Sequence, residues 1–197
     1  MRRVLWLAAI AASIAFAAPA MAGKVTVKTE YYSISGKTGV DLVRSMARKG
    51  PRHGFLSKAI AVTRFKPAVR GDMVHKNGVC RTKNAEFDLA ITYVYPKPSG
   101  KLPADVSRRW SAFISGVEKH EEVHGRLGKE LAGSIDRKLH GFSMKDKPGC
   151  RAATAAMMKD VKKTVVAYDA RQRAFDEKEH RDGGNVEKML RRLVATK

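Results

Sequence analysis

The chain has two parts that differ in the spacing of their hydrophobic residues. Up to about residue 95, apolar and polar positions alternate over short stretches, which is the pattern of half-buried strands. Over residues 106–135 the apolar positions recur every three or four residues, which is typical of a helix with one buried face. A second helical pattern covers residues 151–179. This order predicts an α+β fold, with a small antiparallel or mixed sheet and one short helix, followed by two long antiparallel helices.

The strand-forming half contains three alternating stretches. Residues 24–34 are rich in β-branched and aromatic side chains, residues 57–65 form a shorter stretch, and residues 79–95 form the longest one. After the first stretch, Thr38 is expected to cap a short amphipathic helix. Residues 69–78 contain turn-forming residues, and we expect them to be a connection between strands.

The first long helix carries two histidines within its apolar stripe. A histidine on a buried face is more often a core residue with a satisfied hydrogen bond than a metal ligand. Here, however, Glu121 lies beside His120 and His124, so three neighbouring polar groups would need partners in the core. A metal ion would supply them. The stripe consists of Val106, Trp110, Phe113, Val117, His120, His124, Leu127, Leu131 and Ile135.

His120, Glu121 and His124 form an H-E-x-x-H motif. Residues four apart share a helix face, so the two imidazoles can bind one metal ion, and Glu121 can reach a water molecule on that ion. Zinc with three protein ligands and an open position lowers the pKa of its bound water to about 7. We therefore predict a zinc-dependent peptidase that acts on peptides or proteins, with His120 and His124 as ligands and Glu121 as general base.

A catalytic zinc site needs a third protein ligand. We prefer His180, because it lies at the end of the last helix, just before Gly183 and Gly184, and could reach the histidine pair from an antiparallel neighbour. Glu130, six residues after His124, is the alternative, although an unbroken helix would carry it away from the metal.

The first 22 residues have the parts of a secretory signal peptide. Arg2 and Arg3 precede an apolar stretch over residues 4–18, and Ala20-Met21-Ala22 is a small-x-small cleavage site. We predict cleavage after Ala22, one domain over residues 23–197, no later transmembrane segment and a periplasmic or secreted location. The alternative is an uncleaved membrane anchor.

The charge of the mature chain limits its partners. Of 39 Lys and Arg residues, 37 remain without Arg2 and Arg3, against 19 Asp and Glu, which gives a formal charge of +18. Such a charge favours anionic partners. The basic residues are scattered with little aromatic interleaving, so we predict no nucleic-acid binding and consider an anionic envelope surface instead. Residues 185–197 are expected to form a short, solvated basic helix.

The alternative function belongs to a different class. The chain would then be a non-catalytic basic protein of the periplasm or cell envelope, with a structural or degenerate histidine pair.

Two cysteines, Cys80 and Cys150, suggest one disulfide bond in an exported chain. It would close a loop of about seventy residues and stabilise the fold by roughly 4 kcal/mol on the loop-entropy model. The alternative is a pair of free buried thiols.

Six features along the mature chain form a recognisable set: Tyr31–Thr38, Cys80, Trp110, His120–Gly125, Cys150 and Tyr168–Asp176. Together they resemble the bacterial family of predicted secreted zinc-dependent proteases (domain of unknown function family 922). The resemblance covers nearly the whole mature chain and implies a zinc protease with this H-E-x-x-H motif. Members usually carry a Thr-x-His-Gly type motif where this chain has Lys178-Glu179-His180-Arg181.

Overall fold

The structure is a computed structural model, and it describes residues 23–53 and 57–196. The predicted signal peptide, residues 1–22, lies outside the described residues. The elements, in chain order, are β1 (Val25–Ile34), α1 (Gly39–Lys49), β2 (Arg52–His53), β3 (Ser57–Lys58), β4 (Val62–Lys76), β5 (Val79–Pro98), α2 (Ala104–His140), β6 (Ser143–Lys145), α3 (Arg151–His180) and α4 (Asn185–Val194).

The long strand β5 organises a mixed four-stranded sheet. β1 pairs with it in parallel on one side, with Val25 opposite Leu89, and β4 pairs antiparallel on the other side, with Val62 opposite Val94. β6 adds to the first residues of β5, while β2 and β3 form a separate small ladder. The predicted α+β class, with a mixed sheet, one short helix and two long helices, is therefore confirmed.

The prediction of a connection over residues 69–78 was wrong, because β4 continues to Lys76. The turn-forming residues there serve two local features. Gly71 has φ +119° at a bulge between Arg70 and Asp72, and a Cβ on it would lie 2.6 Å from the Cα of Ala85. Asn77 and Gly78, at φ 52° and 76°, form the tight hairpin turn into β5.

The predicted strand over residues 57–65 is divided between β3 and β4. Thr38 caps α1 as expected: its hydroxyl accepts a hydrogen bond from the Asp41 amide, and the Asp41 carboxylate accepts one from the Thr38 amide.

The main core lies between β5 and α2. Alternate residues of β5 point to one face of the sheet, and the apolar stripe of α2 packs against that face. The buried residues of this layer include Phe87, Leu89, Ile91, Tyr93 and Tyr95 of β5 and Val106, Trp110, Phe113, Val117, Ile135 and Leu139 of α2.

The two long helices are antiparallel, as predicted. Lys138 of α2 pairs with Asp160 of α3, whereas His120 approaches Asp176, so the sequence numbers run in opposite directions along the contact. The predicted Cys80–Cys150 disulfide is present and joins β5 to the start of α3. Within the described residues, no helix is both long and apolar enough to cross a membrane.

The final helix is not the solvated tail that we expected. Leu193 of α4 is fully buried, and Met189 and Leu190 pack against the main core. The Sδ atom of Met189 lies so close to Gly116 of α2 that a Cβ there would be 2.1 Å away. The apolar face of α4 therefore completes the core, and only its basic face is left to solvent.

Candidate metal centre

Close packing of α2 on the sheet fixes the position of the H-E-x-x-H motif. A Cβ on Gly125 would lie 1.8 Å from the hydroxyl of Tyr93 in β5, and one on Gly128 would lie 2.3 Å from the ring of Phe65 in β4. Glycine at these positions lets the helix approach the two strands directly. The histidine pair is thereby placed against the inner wall of a cleft.

Three ligand-type atoms converge beside α2. The Nε2 atoms of His120 and His124 are 3.2 Å apart, and Oδ1 of Asp176 lies 3.4 Å from the first and 3.0 Å from the second. Ligands at about 2.0–2.1 Å from a tetrahedral zinc ion are separated by roughly 3.3 Å. The three separations therefore match the edges of such a coordination shell.

His180 is the last residue of α3 and lies near His120. Its ring centre is 5.5 Å from that of His120, and the side chain is exposed. His120, Asp176 and His180 each offer one ligand atom, and these atoms lie within 4.8 Å of one another, so this group could hold a metal ion. Glu130 does not join it, because its carboxylate pairs with Arg171 at 2.8 Å.

Gln172 holds His124 at two points. The imidazole Nδ1 is hydrogen-bonded to the side-chain oxygen of Gln172, and the side-chain amide nitrogen donates to the backbone carbonyl of His124 at 3.3 Å. With the proton on Nδ1, the lone pair of Nε2 faces His120 and Asp176. This arrangement is the usual outer contact of a metal-ligating histidine.

In the described part of the chain, the second ring nitrogen of His120, unlike that of His124, is not held by a neighbouring side chain. Its Nδ1 atom is buried and has no hydrogen-bond partner among the described residues, where the nearest carboxylate oxygen, on Glu179, is 3.8 Å away. The ring of Phe175 packs on both imidazoles, with centroid distances of 4.8 Å to His120 and 5.2 Å to His124. This apolar contact shields the pair from water on the side of α3.

The ionisable groups of the site are strongly coupled. Burial opposes the charged form of Asp176, but the hydrogen bonds and positive charges of His120 and His124 outweigh it and hold the pKa of this carboxyl far below its usual range. Burial by itself would lower the pKa of His124, but the hydrogen bonds to Asp176 and Gln172 outweigh burial and the pKa is raised. For His180, burial and the charge of His120 lower the pKa. An ionised carboxylate thus faces the imidazole pair, as a cation site requires.

Glu121 points from α2 towards β4 and is only 5% exposed. The hydroxyl of Thr63 donates to Oε2 of Glu121 at 2.7 Å. One carboxylate oxygen is therefore held by the sheet, and the position of the carboxylate next to the histidine pair is set by a residue that is distant in sequence.

The site opens into a cleft of about 1170 Å³ between β4 and α3, with α2 as its floor. The polar cluster lies in the middle, and an apolar lobe lies on each side of it along α2. One lobe is formed by Gly128, Leu131, Val161, Val165, Phe65 and Phe87, and the other by Phe113, Val117, Ile60, Val186, Met189 and Leu190.

The sequence reasoning missed Asp176 and Gln172. A usable signal was present, because Gln172, Asp176 and His180 are spaced four residues apart and so lie on one face of α3. Of this row, only His180 is a predicted ligand. The contact between the row and α2 depends on how the two helices pack, which the spacing alone does not determine.

The fold and the cluster together define an α+β protein with a candidate metal centre between two long helices. The family model described as "Bacterial protein of unknown function (DUF922)" matches residues 29–184, and the chain belongs to this family. No curated protein and no solved structure matches the chain significantly.

Proposed function

We propose that this protein is an exported zinc-dependent peptidase. One observation carries the proposal: two imidazole nitrogens and a carboxylate oxygen converge at 3.0–3.4 Å from one another, next to the buried carboxylate of Glu121. Two imidazoles and a carboxylate form a donor set that suits zinc once the imidazoles are neutral, because a metal binds the deprotonated nitrogen. The Nε2 atoms of both imidazoles face Asp176, and Nδ1 of His124 is held by Gln172.

His120, His124 and Asp176 form the proposed ligand set. Asp176 replaces our sequence-based choice of His180 as the preferred third ligand, because its oxygen has the shortest separation from His124. His180 lies within 4.8 Å of the other ligand atoms of its group and serves as the alternative third ligand or as a fourth. Its exposed position at the end of α3 also suits a contact with substrate.

A zinc ion bound here would act as a Lewis acid and lower the pKa of a water molecule. Glu121 acts as general base: it accepts the proton of the attacking water and returns it to the leaving amine nitrogen. Thr63 occupies Oε2 of Glu121, which leaves Oε1 to carry the proton. The hydrogen bond from Thr63 also restrains the rotation of the carboxylate.

The shape of the cleft supports a chain-like substrate. Val117 and Leu131 of α2 lie in opposite lobes, about 21 Å apart along the helix by its rise per residue. An extended peptide of about six residues spans that length. The mainly apolar walls favour a peptide with apolar side chains on both sides of the bond that is cleaved.

An extracytoplasmic location is consistent with the Cys80–Cys150 disulfide, since such bonds persist in oxidising compartments. We propose a periplasmic or secreted protein that is released by cleavage after Ala22. Its net positive charge would attract an anionic envelope surface as a second partner.

The decisive experiment compares two adjacent glutamates. Glu121→Gln should retain zinc but lose about 10²–10⁴-fold in hydrolysis of a peptide library, because the general base is removed. Glu122→Gln is the matched control, since this side chain is exposed and one position removed from the site. Full activity of the Glu121 variant would remove it from this role.

Metal content separates the two function classes. The purified mature protein should contain one zinc by elemental analysis, and the His120→Ala variant should lose it. His75→Ala is the control and should keep its zinc, because His75 is an exposed residue of β4 outside the site. An unchanged zinc content in the His120 variant would end the metal proposal. A metal-free protein with no chelator-sensitive cleavage would instead favour the non-catalytic envelope protein.

A further inference from the structure

Gly23, the first residue that the structure describes, is held by the carboxylate of Asp136 in α2. The backbone nitrogen of Gly23 donates to Oδ1 of Asp136 in α2 at 3.2 Å, and the same oxygen accepts the backbone N–H of Phe87 at 3.2 Å. The Asp136 side chain is only 14% exposed. A mostly buried carboxylate thus joins Gly23, β5 and α2 at one point.

Gly23 is packed tightly against the backbone of β5. A Cβ on this residue would lie 2.1 Å from the carbonyl oxygen of Phe87, and a change of side-chain rotamer could not remove this clash because the oxygen belongs to the backbone. Glycine is therefore required for the nitrogen to reach Asp136. The next residue continues the contact, since the amide of Lys24 donates to Asp88 at 2.8 Å.

Cleavage at the predicted site would change the chemistry of this nitrogen. Hydrolysis of the Ala22–Gly23 bond by an export peptidase gives the water hydroxyl to the Ala22 carbonyl carbon and a hydrogen to the Gly23 nitrogen. The new amine then takes a proton from solvent, because an α-amino group has a pKa near 7.7–8.0. An amide with one N–H becomes an ammonium group with three N–H donors and a positive charge.

We propose that Asp136 is the binding site for the α-ammonium group of Gly23 that cleavage after Ala22 creates. Removal of the signal peptide then converts a hydrogen bond between an amide and a carboxylate into an ion pair that holds the new N-terminus on α2. Among the described residues, His140 also contacts this carboxylate. Its Nδ1 lies 3.5 Å from Oδ2, which leaves Oδ1 to the N-terminus. Processing for export and the stability of the folded chain are coupled through this contact.

The test uses mature chains with three defined N-termini. One begins at Gly23, one keeps Ala22 as an extra residue, and one begins at an α-N-acetylated Gly23. Each is made with Asp136 and with Asp136→Asn, which keeps an oxygen for the Phe87 amide but removes the charge. Unfolding in urea is followed at pH 6, where a free α-amino group is protonated, and with a chelator present so that no metal contributes.

An ion pair at a partly exposed site contributes about 1 kcal/mol, so the unfolding constant of the Gly23 chain should be about fivefold lower than that of the extended or acetylated chain. The difference should disappear in the Asp136→Asn background. Equal stability of the three chains, or a difference that survives in that background, would overturn the proposal.

A second measurement avoids any effect of substitutions on folding. The α-amino pKa of the mature wild-type chain, followed by NMR of a labelled Gly23, should lie above the ordinary range because Asp136 favours the charged form. An ordinary or lowered value would contradict the ion pair. Since the metal is chelated in one test and irrelevant to the other, the result is independent of the peptidase proposal.

Discussion

The two long helices have similar lengths but very different roles in the core. α2 has 37 residues and buries twelve of them, among them Trp110, Phe113 and Ile135, against the sheet. α3 has 30 residues and buries only Ala153, Val161 and Thr164. α2 is therefore a rigid part of the core, whereas α3 is a helix that lies on its surface.

Besides its three buried residues, α3 is held by contacts towards both of its ends. The disulfide at Cys150 holds its start, and the row of Gln172, Asp176 and His180 meets the histidines of α2 near its end. The candidate metal centre thus joins a firmly packed helix to a weakly packed one. It follows that a bound metal would contribute to the position of α3 far more than to that of α2.

Loss of the disulfide should have the largest effect. Replacing Cys80 and Cys150 by serine should lower the free energy of unfolding by about 4 kcal/mol, because the unfolded chain gains the freedom of a loop of 70 residues. Urea titration measures the change, and reduced wild type is the control and should match it. Hydrogen exchange should rise more in α3 than in α2, and an equal rise in both helices would contradict the contrast drawn between them.

Loss of the contact between Gln172 and His124 should weaken the metal site without affecting the core. Gln172→Leu removes both hydrogen bonds to His124, and zinc affinity should fall about 10–100-fold, as for other outer contacts of metal ligands. Competition with a chromophoric chelator measures it. Gln172→Glu, which keeps the acceptor for Nδ1, should restore most of the affinity, and failure to do so would assign the glutamine a packing role only.

Two glycines of α2 give the smallest and most selective test. Gly125→Ala should destabilise the fold by about 1–3 kcal/mol, because its methyl group would overlap the Tyr93 hydroxyl. Gly133→Ala should stabilise it by up to about 1 kcal/mol, since the nearest atom, on Arg137, is 3.5 Å away and alanine favours helix. Thermal unfolding measures the change in stability of each variant. Changes of the same sign in both would mean that α2 is not in close contact with the sheet at Gly125.

The elements with strong periodicity were predictable from the sequence alone. The alternation of Phe87, Leu89, Ile91, Tyr93 and Tyr95 indicated a half-buried strand, and the stripe of α2 indicated a helix with both histidines inside it. The disulfide partners followed because the chain contains two cysteines and no others.

The wrong predictions concern residues whose local sequence is compatible with more than one structure. Gly71, Asn77 and Gly78 indicated a long connection, but they form a bulge and a two-residue turn within a continuous hairpin. The basic tail was predicted to be a solvated helix, because nothing local shows that Leu193 meets an apolar surface on another part of the chain.

The sequence by itself determined the H-E-x-x-H spacing, since residues four apart share a face in any helix. It also placed a histidine at the end of the second long helix. Only the tertiary structure decided which side chain completes the group, because the rotation and register of α3 on α2 depend on packing over the whole contact. That packing brings Asp176 to 3.0 Å from His124 and sets Thr63 against Glu121. The spacing of Gln172, Asp176 and His180 shows that they share a face of α3, but it does not show what that face contacts.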